Sequence, residues 1–330
     1  MIKAKRGARM ITGRDVIQDG TRGVGVCQQT IEQTTSTKGK GLHTGKRITL
    51  TMHAAAAGTG IVFMADGKRT PALWRNVVAT RMNTSLGEEC KGISLWTVEH
   101  MMGALAGCGI DNMVVEVEGG EMPAMDGSAL AFADMIKRAG IKKQDRARRY
   151  IRLLKEVHVT NVDDGGYIVA TPSQRASFDY TIDFPHPLIG KQQYDYHEQG
   201  MEHFYREIAP ARTFGFMEDI ERLRAQNLGL GGDRDNVVIL NHQAVVNGGA
   251  LRFADEFVRH KILDALGDTF LAGARIIARM ACYRAGHGLH HRFVQALMAT
   301  PDAWCWSSVF DEGNVGDVSP QSHMMTRSIS

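Results

Sequence analysis

Short alternations of apolar and polar positions recur along the chain, separated by stretches whose apolar residues return every three or four places. Ile48, Leu50 and Met52 alternate with polar neighbours, the period of a half-buried strand, and Ile61-Val62-Phe63 is a second short strand candidate. From Thr97 the period lengthens. Met101, Met102, Leu105 and Ala106 make one face of a helix that Thr97 can cap and that Gly107 and Gly109 end. Alternation returns at Met113, Val115 and Val117, and after a loop a helix runs from about Ser128 to Arg138 with Gly140 as its stop.

The second half follows the same order. Strands are predicted at Ile151–Val159, Tyr167–Thr171 and Ser177–Phe184, the last with Phe178, Tyr180, Ile182 and Phe184 on one face. A helix over Asp255–Phe270, a strand through Ile276, Ala278, Met280 and Cys282, and a helix over Gly288–Ala299 complete it. Strands, helix, strand, helix therefore occurs twice, which predicts an α+β fold of two similar domains, 29–148 and 149–312. The charged stretch Lys142, Lys143, Asp145, Arg146, Arg148 and Arg149 reads as the junction between them. The second unit is longer because of material between Asp183 and Gly249. That material holds a helix candidate, Met217–Gln226, and the glycine-rich Leu228-Gly229-Leu230-Gly231-Gly232. Residues 1–28 lack sustained periodicity and read as a flexible basic extension, and 313–330 as a flexible tail.

Composition narrows the class without naming it. The chain has 330 residues, 43% apolar and 23% charged, which is ordinary for a globular protein and long enough for two domains. A net charge of +3, spread along the chain, argues against a nucleic-acid partner. No window approaches the ~18–20 apolar residues of a membrane span. The early basic residues (Lys3, Lys5, Arg6, Arg9, Arg14, Arg22) come without the apolar stretch of a secretory signal, so a cytoplasmic protein is expected, with at most peripheral membrane contact. Cys27, Cys90, Cys108, Cys282 and Cys305 are widely spaced with no C-x-x-C, and read as reduced thiols.

Candidate chemistry centres on His260-Lys261-Ile262-Leu263-Asp264. Positions i and i+4 share a helix face, so this imidazole and carboxylate can converge on one ion, a nitrogen–oxygen pair suited to zinc or iron(II). The same spacing also describes a solvated ion pair on a surface helix. Asp268 extends the row by a turn. The best third donor is His100, with Glu99 beside it able to reach a metal-bound water, although for an isolated Glu-His pair a capping glutamate next to a half-buried histidine is the better reading. His287 lies between glycines after a strand, where a protonated imidazole can stabilise an oxyanion or protonate a departing amine, or simply face water. His290 and His291 read as surface residues. Thr213, in Arg212-Thr213-Phe214-Gly215-Phe216, offers a hydroxyl donor among aromatics, and Lys261 points off the ligand face, toward solvent or a phosphate.

These pieces, in their order, resemble one family. Gly41-Leu42-His43-Thr44-Gly45, Thr97-Val98-Glu99-His100, Gly109-Ile110-Asp111-Asn112, Met125-Asp126-Gly127-Ser128-Ala129, Ala211–Met217, Leu228–Gly232, the run Asp255–Asp268 and Gly286-His287 are similar to stretches of the UDP-3-O-acyl-N-acetylglucosamine deacetylases. The resemblance spans about Gln29 to Asp311 and implies a zinc-dependent hydrolase of lipid A biosynthesis, removing the N-acetyl group of a UDP-linked, 3-O-acylated glucosamine. It implies His100, His260 and Asp264 as ligands to Zn2+, or Fe2+ in the cell, and Glu99 as general base. It further implies His287 as the histidine that protonates the amine, held by Asp268, with Thr213 as oxyanion donor and Lys261 as phosphate contact. Phe214 would line the sugar-nucleotide site, with Asp183 and Phe184 near the uridine. An insert near 216–238 would form an acyl passage lined by Phe216, Ile220, Leu223, Leu228 and Leu230. The family's fold has two domains, each a sheet on two helices, with the helices face to face around the metal, and a monomer is expected.

Two features depart from the family. The basic extension precedes its usual start, and Gly288-Leu289-His290-His291 stands where it often has Ala-Leu-Asn-Asn. A catalytically silent homologue, or a hydrolase of another acyl-amine, are the competing classes. Metal content without activity would mark the first, and activity only on other amides the second.

Overall fold

The computed structural model describes residues 26–88, 92–247 and 249–308. The extension over 1–25, Cys90 and the tail over 313–330 lie outside the described residues. Two five-stranded sheets carry the architecture. The first contains β1 (Thr35–Lys40), β2 (Arg47–Ala54), β3 (Ile61–Ala65), β4 (Lys68–Pro71) and β5 (Met113–Glu118), in the order β1-β2-β5-β3-β4. The second contains β6 (Val157–Thr160), β7 (Tyr167–Thr171), β8 (Ser177–Asp183), β9 (Lys191–His197) and β10 (Arg279–Tyr283), in the order β6-β7-β10-β8-β9.

The two orders are the same pattern. In each, the last strand enters the middle of the sheet, antiparallel to the second strand and parallel to the third. In the first sheet Val115 lies opposite Met52 on one side and Phe63 on the other. In the second, Met280 lies opposite Ala170 and Phe178. All six side chains are buried, so the alternation read from sequence is the inward face of each sheet.

A strand that joins a sheet in parallel must be reached by a crossover, and each of these crossovers contains at least one helix. The α-helices among the described residues are α1 (Glu99–Gly107), α2 (Leu130–Ala139), α3 (Met201–Glu207), α4 (Met217–Ala225), α5 (Glu256–Phe270) and α6 (His287–Ala299). α1 immediately precedes the central strand β5, and α5 comes before β10, so the two occupy matching places. α2 buries Phe132, Ala133, Met135 and Ile136 and shows a polar outer face, whereas α1 is buried on all sides from Glu99 to Ala106. None of the helices among the described residues is long and apolar enough to cross a membrane.

α1 and α5 meet backbone to backbone because each has a glycine at the crossing. A Cβ on Gly103 would lie 2.7 Å from Leu263 Cδ1 and 3.0 Å from its carbonyl oxygen. A Cβ on Gly267 would lie 2.0 Å from the carbonyl oxygen of Glu99. Glycine at both positions is what allows the side chains of one helix to reach those of the other.

Several details differ from the sequence expectation. Within the charged stretch Lys142–Arg149, the residues up to Ala147 belong to a strand, Ile141–Ala147, paired with Cys27–Ile31, its charges facing outward. Ile151–Val159 divides into Tyr150–Leu153 and β6, and the strand through Ile276 divides into Arg275–Ile277 and β10. Tyr150–Leu153 pairs instead with Arg275–Ile277 and Trp304–Ser307. Thr97 does not cap α1. It has φ +63 and a buried hydroxyl without a partner, Val98 stands at the cap position, and the Val98 N–H donates to the Thr84 carbonyl at 3.0 Å.

Candidate metal and catalytic centre

One turn of α5 separates His260 from Asp264, and the crossing of α1 brings His100 onto the same point. Asp264 Oδ1 is 3.4 Å from His260 Nε2 and 3.5 Å from His100 Nε2. A tetrahedral ion with bonds of ~2.1 Å holds its donors about 3.4 Å apart. All three residues are buried, and Asp264 Oδ1 has no hydrogen-bond partner, so a buried lone pair is left unpaired among them. His260 Nδ1 donates to the Ala211 carbonyl at 3.1 Å, which fixes the ring and turns Nε2 toward the shared point. Burial, with His100 and Lys261 adding to it, pushes the His260 imidazole down to about 4, so the ring is neutral at ordinary pH, the form that can bind a metal. Burial opposes the charge of Asp264, yet Lys261, His260 and His287 together hold its carboxyl well below the usual range. The donor set thus fits a divalent cation such as zinc.

The proton-handling groups stand beside these donors. Glu99 opens α1, is buried, and accepts the Thr84 backbone N–H at Oε2, 3.0 Å away. Burial foremost raises its carboxyl, and His287 and His100 pull it partly back. His287 opens α6. Its Nδ1 donates to Asp268 Oδ2 at 2.7 Å, leaving Nε2 4.0 Å from Asp264 Oδ2. Burial opposes the imidazolium, but Asp268 and then Asp264 outweigh it and raise His287 to about 9. A carboxylate with a raised affinity for protons and an imidazole with a raised one therefore flank three donors that could hold a metal, an arrangement that general acid–base hydrolysis can use.

The remaining expected residues divide by distance. Lys261 does not point away: its ammonium reaches forward one turn to Asp264 Oδ2 at 2.7 Å, as i,i+3 neighbours on a helix can. Phe214 lies against this centre, its ring 6.2 Å from that of His260 and 5.6 Å from that of Phe184, and Phe216 sits 6.0 Å from Phe184. Asp183 accepts the Tyr283 hydroxyl at 2.9 Å. Thr213 is held by its backbone, its N–H on the Gly127 carbonyl and its carbonyl accepting from Val238, two residues beyond the carbonyl that orients His260. Ile220 and Leu223 lie on α4, which buries none of its residues. Leu228 follows half-buried, and Leu230, with its N–H on the His43 carbonyl, is exposed.

The family model described as LpxC, UDP-3-O-acyl N-acetylglycosamine deacetylase, matches residues 28–299. This chain belongs to that family. The chain is 43% identical over 281 residues to the UDP-3-O-acyl-N-acetylglucosamine deacetylase of Myxococcus xanthus, covering 84% of this chain and 88% of the relative. The same-named protein of Vibrio vulnificus is 41% identical over 293 residues, 86% of this chain and 94% of its own. That of Pasteurella multocida is 42% identical over 282 residues, 84% and 92% respectively.

Within this deacetylase-family chain, two residues beside the centre escaped the sequence reading. His290 is not on the surface: it is fully buried, with Nδ1 2.8 Å from Asp268 Oδ2 and Nε2 3.0 Å from the Tyr180 hydroxyl. His291 is half-buried. The spacing carried the signal, because position i+3 after His287 shares its helix face. Thr84 is the second. Its hydroxyl donates to Asp268 Oδ1 at 2.6 Å, and nothing in the periodicity around it marks that role.

Proposed function

We propose that the protein hydrolyses the N-acetyl group of UDP-3-O-(3-hydroxyacyl)-N-acetylglucosamine, releasing acetate and the free amine, as the zinc-dependent deacetylase that commits this sugar nucleotide to lipid A synthesis. The observation that carries the reading is the meeting of His100, His260 and the unpartnered Asp264 Oδ1 beside Glu99 and the His287–Asp268 pair. Zinc, or iron(II), is the ion this donor set would hold, and when bound it supplies Lewis acidity toward the acetyl carbonyl and acidifies water.

The chain's own residues do the rest. Glu99 takes the proton of the attacking water. His287, protonated and oriented by Asp268, donates with the Thr213 hydroxyl to the carbonyl oxygen as it gains charge. His287 then gives its proton to the departing glucosamine nitrogen, and the carbonyl re-forms as acetate leaves. Lys261 takes the substrate phosphate once its ammonium leaves Asp264. Phe214, Phe184 and Asp183 line the nucleotide-sugar side, and Phe216, Ile220, Leu223, Leu228 and Leu230 take the acyl chain.

We assign 29–148 and 149–312 as the two domains, with α1 and α5 facing each other across the metal. The matched strand orders and the boundary between Ala147 and Tyr150, where pairing passes from one sheet system to another, support this division. The enzyme acts in the cytoplasm as a monomer. The test is acetate release from the 3-O-acylated sugar nucleotide by zinc-reconstituted protein, with chelated protein alongside. Metal-dependent release is the expected result, and its absence from folded, zinc-loaded protein overturns the assignment.

A further inference from the structure

Thr84 spends all three of its polar groups inside the catalytic centre. Its backbone N–H donates to Glu99 Oε2 at 3.0 Å, and its hydroxyl donates to Asp268 Oδ1 at 2.6 Å. Its carbonyl accepts the N–H of Val98, the residue that leads into α1, at 3.0 Å. The side chain is 1% exposed, so water does not compete for any of these bonds. The segment is held in shape on both sides: Met82 takes φ +74, and the Ser85 hydroxyl donates to Asn83 Oδ1 at 2.6 Å.

From this we infer that Thr84 is a positioning residue for the deacetylation, one that fixes the proton-accepting Glu99 and the proton-donating His287–Asp268 pair relative to each other. The inference rests on the proposed reaction for the two roles it connects. Asp268 Oδ2 accepts from both His287 and His290, at 2.7 and 2.8 Å. A carboxylate held by one oxygen can still turn about its own axis. The Thr84 hydroxyl holds the other oxygen and stops that rotation, so His287 Nε2 keeps its aim. At Glu99 the Thr84 N–H occupies Oε2, and Oε1 makes no hydrogen bond among the described residues. One carboxylate oxygen is thereby anchored and the other left for a water proton. The two carboxylates come from different helices, and Thr84 is the residue that bonds to both.

The experiment compares Thr84→Val with Thr84→Ser. Valine keeps the shape and the backbone N–H but removes the hydroxyl, whereas serine keeps the hydroxyl. Expected is a fall in kcat of about 10- to 100-fold for valine, the range for losing a group that orients a reacting one, with KM and zinc content unchanged. Serine should restore kcat to near wild type. In an Asp268→Asn background the valine change should add little, because the hydroxyl acts through that carboxylate. Should the valine variant not fold, Thr84→Ala against Thr84→Ser isolates the same hydroxyl.

A second readout does not need turnover. The proton between His287 Nδ1 and Asp268 gives a low-field resonance, assigned by its absence in His287→Gln. It should persist in wild type and Thr84→Ser and be lost in Thr84→Val. A valine variant that keeps both kcat and this resonance overturns the inference. If wild-type protein releases no acetate, the proposed function falls on its own, and the resonance alone decides whether Thr84 orients His287.

Discussion

Three hydrogen bonds converge on the carboxylate of Asp268, from Thr84, His287 and His290. Its charge is the largest of the influences that raise His287, which reaches about 9 against the cost of burial. The donor form of His287 is therefore the one present at neutral pH and is lost as pH rises through that value. In Asp268→Asn the raising charge is gone, so the ring gives up its proton at lower pH and the alkaline limb of the kcat profile shifts to lower pH. A pH–rate profile with its alkaline limb unmoved would detach Asp268 from His287. His290 adds a stability prediction. His290→Leu strips one donor from Asp268 and one partner from the Tyr180 hydroxyl, leaving buried polar groups at a cost of about 1–3 kcal/mol. His290→Asn keeps a side-chain donor and should lose less. Urea denaturation of the two variants checks the order, and equal losses would reject the hydrogen-bond account.

α1 and α5 supply both halves of the centre, and their glycines decide how near they come. Gly267→Ala gains about 1 kcal/mol in helix propensity. Its new methyl group, however, would meet the Glu99 carbonyl oxygen at 2.0 Å, a backbone atom that cannot step aside as a flexible side chain would. Overpacking of this kind costs about 1–3 kcal/mol, so the clash should win. The expected outcome is a lower Tm together with reduced kcat, because Glu99 and His100 move with α1; a variant with wild-type Tm and turnover would refute the close crossing. The same elements show what a sequence makes legible. β2, β5, β7 and β8 were readable because their buried residues alternate. β1, β4 and β9 were not, because they are edge strands, and Thr-Ser-Thr-Lys-Gly-Lys or Lys-Gln-Gln-Tyr-Asp-Tyr-His buries too little on either face to leave a pattern. The i,i+4 pair His260 and Asp264 was legible on one helix from spacing alone. Its junction with His100 rests on Gly103 and Gly267, whose role only the packing reveals, and Thr84 lies in an irregular segment with no period to read.

The two sheets repeat one strand order, yet the donor set His100, His260 and Asp264 is divided between the halves: His100 belongs to the first, and His260 and Asp264 to the second. An ion bound by all three is a cross-link between the halves in the native state that the unfolded chain lacks. Binding to the native state alone stabilises by RT ln(1 + [L]/Kd), about 2.7 kcal/mol when free metal is 100 times Kd. Chelation should therefore lower the Tm of the wild-type protein, and stoichiometric zinc should restore it. His100→Ala removes the donor that the first half contributes to this set, so the remaining pair can bind metal without joining the two halves. That variant should melt at nearly the same temperature with and without chelator, even where zinc still binds. Melting with and without zinc also separates architecture from chemistry, because Glu99→Gln should abolish turnover while keeping the full zinc-dependent rise in Tm. A His100→Ala protein that gains as much Tm from zinc as the wild type would show that the ion is held within one half, and the two-helix origin of the site would be wrong.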